Sequence, residues 1–153
     1  MIYFGLLLLA LVGGVSVYDY SKSLYRRAEE YAALAAFADI LYGEISLFRS
    51  SPTKIKAAVE KNGSARIRAL SDAVIFPPLA DDLPISSADA KRMREYLSEL
   101  GKSHYDAECK KAREIAELFN KRKKEEGERV DARIRVCRLL YATAVACALI
   151  LAV

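Results

Sequence analysis

The chain has 153 residues, 53% hydrophobic and 29% charged, with three cysteines, no tryptophan, a formal charge of +4 and a pI near 8.9. Cys109, Cys137 and Cys147 contain no C-x-x-C pair; so odd and scattered a set fits a reducing compartment better than a disulfide framework or a zinc site. Acidic and basic residues are interspersed, so the pI does not point to nucleic acid, and the placement of the charges says more than their sum.

All 44 charged residues lie between Asp19 and Arg138. Met1 to Tyr18 is uncharged and, as a helix, would be about 27 Å long against a hydrocarbon thickness of about 30 Å. Leu139 to Val153 is also uncharged and would reach only about 22 Å, so it needs Val136 and Cys137, snorkelling by Arg135 and Arg138, or local thinning of the bilayer. The expected organisation is a transmembrane helix over 1–18, a polar domain over 19–138 and a second transmembrane helix over 139–153. Tyr3, Tyr18 and Tyr141 fall near the segment ends, where aromatic rings favour the headgroup level.

Two rival readings stay open. A cleaved signal peptide would put the domain outside the cell, but MIYFG has no basic region and the small-residue run at Gly13-Gly14-Val15-Ser16-Val17 lacks an A-x-A pattern. Alternatively, a soluble protein could bury both stretches as core helices. Orientation follows from the cations beside the spans. Lys22, Arg26 and Arg27 follow the first, and Arg129, Arg133, Arg135 and Arg138 precede the second, which places the domain in the cytoplasm and both termini across the cell membrane.

Within the polar domain the periodicity is helical, and the expected fold is all-α, an antiparallel helical bundle. Residues 20–48 place Leu24, Ala28, Tyr31, Ala35, Ala38, Tyr42 and Ile45 on one face, widened by Leu34, Phe37, Leu41 and Phe48. Ser51-Pro52 starts a short helix, with the serine as cap, that stops at Asn62-Gly63, residues tolerant of the left-handed conformation. A further helix is expected over 65–76, ended by Pro77-Pro78, with PPLADDLPISS as the long loop. Ser86-x-x-Asp89 and Ser103-x-x-Asp106 resemble capping boxes opening a helix closed by Gly101 and a last helix from His104 into the C-terminal span. In that last helix Asn120 to Arg129 reads as a solvated window, with Gly127 as its weak point.

The chemistry is sparse. His104 is a lone histidine beside a cap, without a partner for acid–base work, and Asp81-Asp82 is a loop pair lacking the further ligands a calcium site needs. Neither a P-loop, a dinucleotide-binding glycine pattern nor a nucleophile elbow occurs in the sequence, so no enzyme, cofactor, metal or small-molecule substrate is expected. Glu44, which interrupts the apolar stripes and reads first as a rim carboxylate at the bundle edge, and the basic run Lys121, Arg122, Lys123 and Lys124 are the candidate partner contacts; the run reads equally as an orientation signal.

The C-terminal half from Met93, with the helix-ending Leu100-Gly101, the restart after Ser103, the long charged helix and the Arg138-Leu139-Leu140-Tyr141 lead into the last span, resembles stage III sporulation protein AB of endospore-forming bacteria. Leu41 to Ile45 followed by a Ser-Pro helix start is similar to that family's first cytoplasmic helix. The chain departs from the pattern at His104, at Glu108, over the short stretch 62–86 and in having no tryptophan and no glycines in the last span, as a divergent or shortened member would. The resemblance implies a domain similar to the cytoplasmic helical region of type II secretion platform proteins. It also implies a place on the mother-cell membrane in a secretion-like channel assembly, with a secretion-type cytosolic ATPase and other membrane proteins as partners. A non-enzymatic membrane adaptor is therefore the leading expectation. The alternative is a small pore-forming or lytic membrane protein, ranked lower because neither span carries an ionisable residue.

Overall fold

The computed structural model describes residues 2–74 and 83–151, and the described residues are all-helical, without strand. Five α-helices follow in order: α1 (Ile2–Phe48), α2 (Pro52–Asn62), α3 (Ala65–Arg68), α4 (Ser87–Glu99) and α5 (Tyr105–Leu151), with a 3-10 turn over Ser71–Val74. The chain divides into two compact units, one made of residues 1–28 with 125–153 and the other of residues 29–124.

The 29–124 unit is organised around one apolar core. α1 contributes Tyr31, Leu34, Phe37, Ala38, Leu41 and Ile45, α2 contributes Ile55 and Val59, α4 contributes Met93 and Leu97, and α5 contributes Ala112, Ala116 and Phe119. Each large side chain taken fully out of water here stabilises the fold by about 1.5–3 kcal/mol. From Tyr31 to Ile45 the two stripes expected on α1 therefore do face inward, Tyr42 only partly, whereas Phe48 is 69% exposed and Leu24 and Ala28, which belong to the other unit, are half-buried. α1 ends at Phe48 and Arg49 turns the chain at φ +48°, so no following element covers the ring.

Local signals differ in how they are realised. The Ser86 hydroxyl accepts from the Asp89 amide at 3.1 Å, as the capping box requires, and Gly101 closes the end of α4 at φ +80°. Ser51 precedes Pro52 at the start of α2 with extended backbone, but its side chain makes no cap hydrogen bond. Gly63 is extended (φ −82°) rather than left-handed, and what it supplies is closeness. A Cβ there would lie 2.5 Å from the Val59 carbonyl oxygen and 2.8 Å from Ile67 Cγ2. The helix expected over 65–76 is instead the single turn α3, capped by Ser64 and followed by the 3-10 turn, which brings both Ile67 and Val74 to the core. Pro77-Pro78 and Asp81-Asp82 lie outside the described residues. α5 begins at Tyr105, so His104 rather than Ser103 directly precedes the first turn, and the Ser103 hydroxyl accepts from Lys111 instead.

Candidate functional site

The 1–28/125–153 unit brings the two uncharged stretches together. A Cβ added at Gly13 would lie 3.0 Å from Cε2 of Tyr141, and one at Gly14 would lie 3.4 Å from its hydroxyl, so this glycine pair makes room for the ring. Further along, an Arg27 guanidinium nitrogen lies 3.3 Å from Glu126 Oε1, and Arg129 reaches the same oxygen at 3.2 Å. Position 13 against 141 and position 27 against 126 define an antiparallel pairing of α1 with α5 in which the partner numbers sum to 153 or 154. Between these contacts Val130 and Ile134 are buried, and the exposed side chains are mixed, with charged residues such as Lys22, Asp131 and Arg133 giving way to apolar ones toward Val12 and Leu140. Val12, Val15, Tyr18, Leu139, Leu140 and Ile150 are each at least 60% exposed. Among the described residues one helix, Val12–Phe48, is long and apolar enough to cross a membrane.

Glu126 is an acid that the sequence placed in a solvated window, yet it is buried. Its helix position faces α1, and the charges of Arg27 on α1 and of Arg129, three residues on along α5, replace the hydration it loses. In the 29–124 unit a second buried acid, Asp89, plays the corresponding part. Its Oδ2 accepts from the Tyr31 hydroxyl and the Ser86 hydroxyl, both at 2.8 Å, and lies 3.3 Å from Arg122 Nε. The Tyr31 oxygen in turn accepts from the Ser86 amide at 3.1 Å, so the N-cap amide that a capping-box acid would normally bind is satisfied through the phenol. Burial by itself would push the Asp89 carboxyl up; the hydrogen bonds from Ser86 and Tyr31 and the charges of Arg122 and Arg92 outweigh it and hold the group below its ordinary range. Glu30 is buried in an ion pair with Arg66, and Asn120 donates to Asp39 at 2.8 Å.

The candidate partner contacts separate on this frame. Glu44 is half-buried and accepts from the Ser50 hydroxyl at 2.7 Å, while its backbone carbonyl accepts from the Ser50 amide, so it shapes the turn between α1 and α2. Arg122 is engaged with Asp89, and the side chains of Lys121, Lys123 and Lys124 are exposed. A groove of about 580 Å³ between α4 and α5, lined by Arg92, Glu95, Tyr96, Glu99, Lys111 and Leu118 among others, was not legible in the sequence. Lys111 crosses it to Glu99 at 2.7 Å, which lowers the Glu99 carboxyl below its ordinary value. The Tyr96 hydroxyl is buried beside it with no hydrogen-bond partner among the described residues, and burial raises it well above the usual phenol range, so it acts only as a neutral donor or acceptor. His104 is exposed on the surface. All three thiols are free, Cys109 and Cys137 half-buried and Cys147 exposed.

No family model matches the chain, and neither a curated protein nor a solved structure is similar to it.

Proposed function

We propose that this protein is a non-enzymatic, membrane-anchored platform whose helical domain, an antiparallel bundle over 19–138, is held at the cell membrane by helices 1–18 and 139–153. The observation that carries the reading is the pairing of two uncharged helical stretches whose outward side chains are large and apolar. Exposed apolar surface of that extent is costly in water and favourable in lipid. With the basic flanks on the domain side, the domain is cytoplasmic and both termini lie across the membrane. A cysteine placed at the exposed Lys102 is then shielded from a membrane-impermeant thiol reagent in intact cells and labelled after permeabilisation; labelling in intact cells overturns the topology.

The resemblance to stage III sporulation protein AB gives this platform a setting. It acts in endospore formation, in a secretion-like channel assembly on the mother-cell membrane, and docks a secretion-type cytosolic ATPase and other membrane proteins of the assembly. The α4–α5 groove, with fixed charges of both signs and an unpartnered phenol, and the exposed Lys121, Lys123 and Lys124 are where such a partner has polar groups to engage. The test is co-purification of the ATPase with the full-length protein in detergent from sporulating cells. Co-purification that charge reversal at Lys121, Lys123 and Lys124 abolishes, with membrane insertion intact, supports a contact there. Absence of association, or ATP hydrolysis by the protein itself, overturns the platform. Arg122 is left unchanged in that series, because reversing it would leave Asp89 facing a like charge.

A further inference from the structure

The antiparallel register fixes the level of each cation beside the apolar stretches. With partner numbers summing to 153 or 154, Arg138 stands level with Ser16, Arg135 with Asp19, and Arg133 with the step between Tyr20 and Ser21. The last charge on α5 is thus about 4.5 Å deeper than the first charge on α1. Lys22, Arg26, Arg133, Arg135 and Arg138 are all exposed, and none has an acidic partner among the described residues, although Asp19 and Asp131 are close in sequence. Their neighbour Arg129, by contrast, is engaged with Glu126. Tyr18, Tyr20 and Tyr25 are exposed at the same levels, 67%, 44% and 46% respectively.

We propose that these five cations form a collar that binds anionic phospholipid headgroups, with Arg138 and Arg135 reaching a headgroup phosphate at the mouth of the apolar pair. The proposal rests on the membrane reading above and goes beyond it: a topology signal needs only net positive charge on one side, whereas this collar keeps its cations unpaired and interleaved with tyrosines. Charge complementarity selects an anion, and the adjoining exposed Leu139, Leu140 and Val136 select one attached to acyl chains. Arginine suits the role because its planar fork engages two phosphate oxygens at once and its aliphatic stem can lie along apolar surface. The uncharged stretch common to both helices, from Ser16 to Ile2 on α1, is about 22 Å long, short of a typical hydrocarbon core. A headgroup drawn inward by Arg138 is what a locally thinned leaflet would present.

The experiment uses the full-length protein reconstituted in phosphatidylcholine bilayers containing trace spin-labelled phosphatidylglycerol or spin-labelled phosphatidylcholine, and reads the motionally restricted fraction of each. The expected result is a preference for phosphatidylglycerol of about fivefold or more, the size one engaged cation contributes, declining as salt is raised. Replacing Arg133, Arg135 and Arg138 together by Gln sharply reduces the preference, and replacing Lys22 and Arg26 as well abolishes it, while the restricted phosphatidylcholine fraction persists. An equal restricted fraction for both lipids in the wild type at low salt overturns the collar and leaves the anchor standing. A salt-independent preference, or one the triple substitution leaves intact, also overturns it. If the protein does not float with the bilayers and neither lipid is restricted, the membrane reading itself fails and takes the collar with it.

Discussion

The same two helices, α1 and α5, build both units of this protein, and they turn opposite characters outward in each. In residues 29–124 the large apolar side chains, Phe37, Leu41 and Phe119 among them, are fully buried and the exterior is charged. In the 1–28/125–153 unit, Val12, Val15, Leu139 and Leu140 point outward, while part of the interior is polar, with Glu126 between Arg27 and Arg129 and the Tyr141 ring on two glycines. Water drives the first arrangement directly through apolar burial. The second gains nothing from that term at its exterior; in lipid it would rest on close packing and polar ties. The lesson is that amphipathicity alone does not say which face is inside, since the surrounding medium decides.

Substitutions can break that contrast, and the largest effect is expected in the core. Leu41→Asp puts an unpaired carboxylate at a position with no solvent access and should cost several kcal/mol, enough to unfold residues 29–124. Loss of the cooperative far-UV melt of the detergent-solubilised protein is the readout. Ala146→Asp probes the other side of the comparison. The residue is exposed, so in water the change would be nearly neutral, but near the middle of a membrane helix an aspartate costs about 3 kcal/mol. The expected outcome is release of the protein from membranes by alkaline extraction while the melt of the 29–124 region is kept. Retention in the membrane would mean that the outward apolar face does not meet lipid.

The Asp89 node gives a smaller, pH-dependent effect. Tyr31→Phe removes a donor to Asp89 and the acceptor of the Ser86 amide, and should destabilise by about 1–3 kcal/mol at neutral pH. Because the folded carboxyl lies below the unfolded value of about 3.9, its contribution is present above that pH and is lost as pH falls through the lower folded value. The gap between wild type and Asp89→Asn in thermal melts should therefore be full at pH 7 and close on acidification below about pH 4. The smallest effects concern Gly43 and Gly127, both inside helices with nothing within 4 Å of an added Cβ. Alanine at either should stabilise by up to about 1 kcal/mol, and equal gains in both units would show that backbone propensity acts alike on the two sides.

Much of the fold was legible because its signals are local. Ser86 with Asp89, Gly101 and the stripes on α1 each act within a few residues, and these matched. The 65–76 segment was misread because Ile67, Leu70 and Val74 keep a helical spacing although the backbone tightens to a 3-10 turn between them. The buried acids were hidden for a different reason. A charged residue reads as solvated unless its partner is known, and Glu126 finds Arg27 at a separation of 99 residues while Asp89 finds Tyr31 at 58. The α4–α5 groove likewise exists only once two helices are placed side by side.

The glycine notch and the Glu126 clasp are separated by fourteen residues on α1 and fifteen on α5, from Gly13 to Arg27 and from Glu126 to Tyr141. One residue inserted within either stretch would rotate everything beyond it by about 100° and advance it by about 1.5 Å, so one contact or the other would be lost. A matching insertion in the opposite helix would bring back the level but not the facing. Length in this helix pair can therefore change by whole turns made in tandem on both helices, or outside the two contacts altogether. In related chains, gaps falling between these positions should come in compensating pairs.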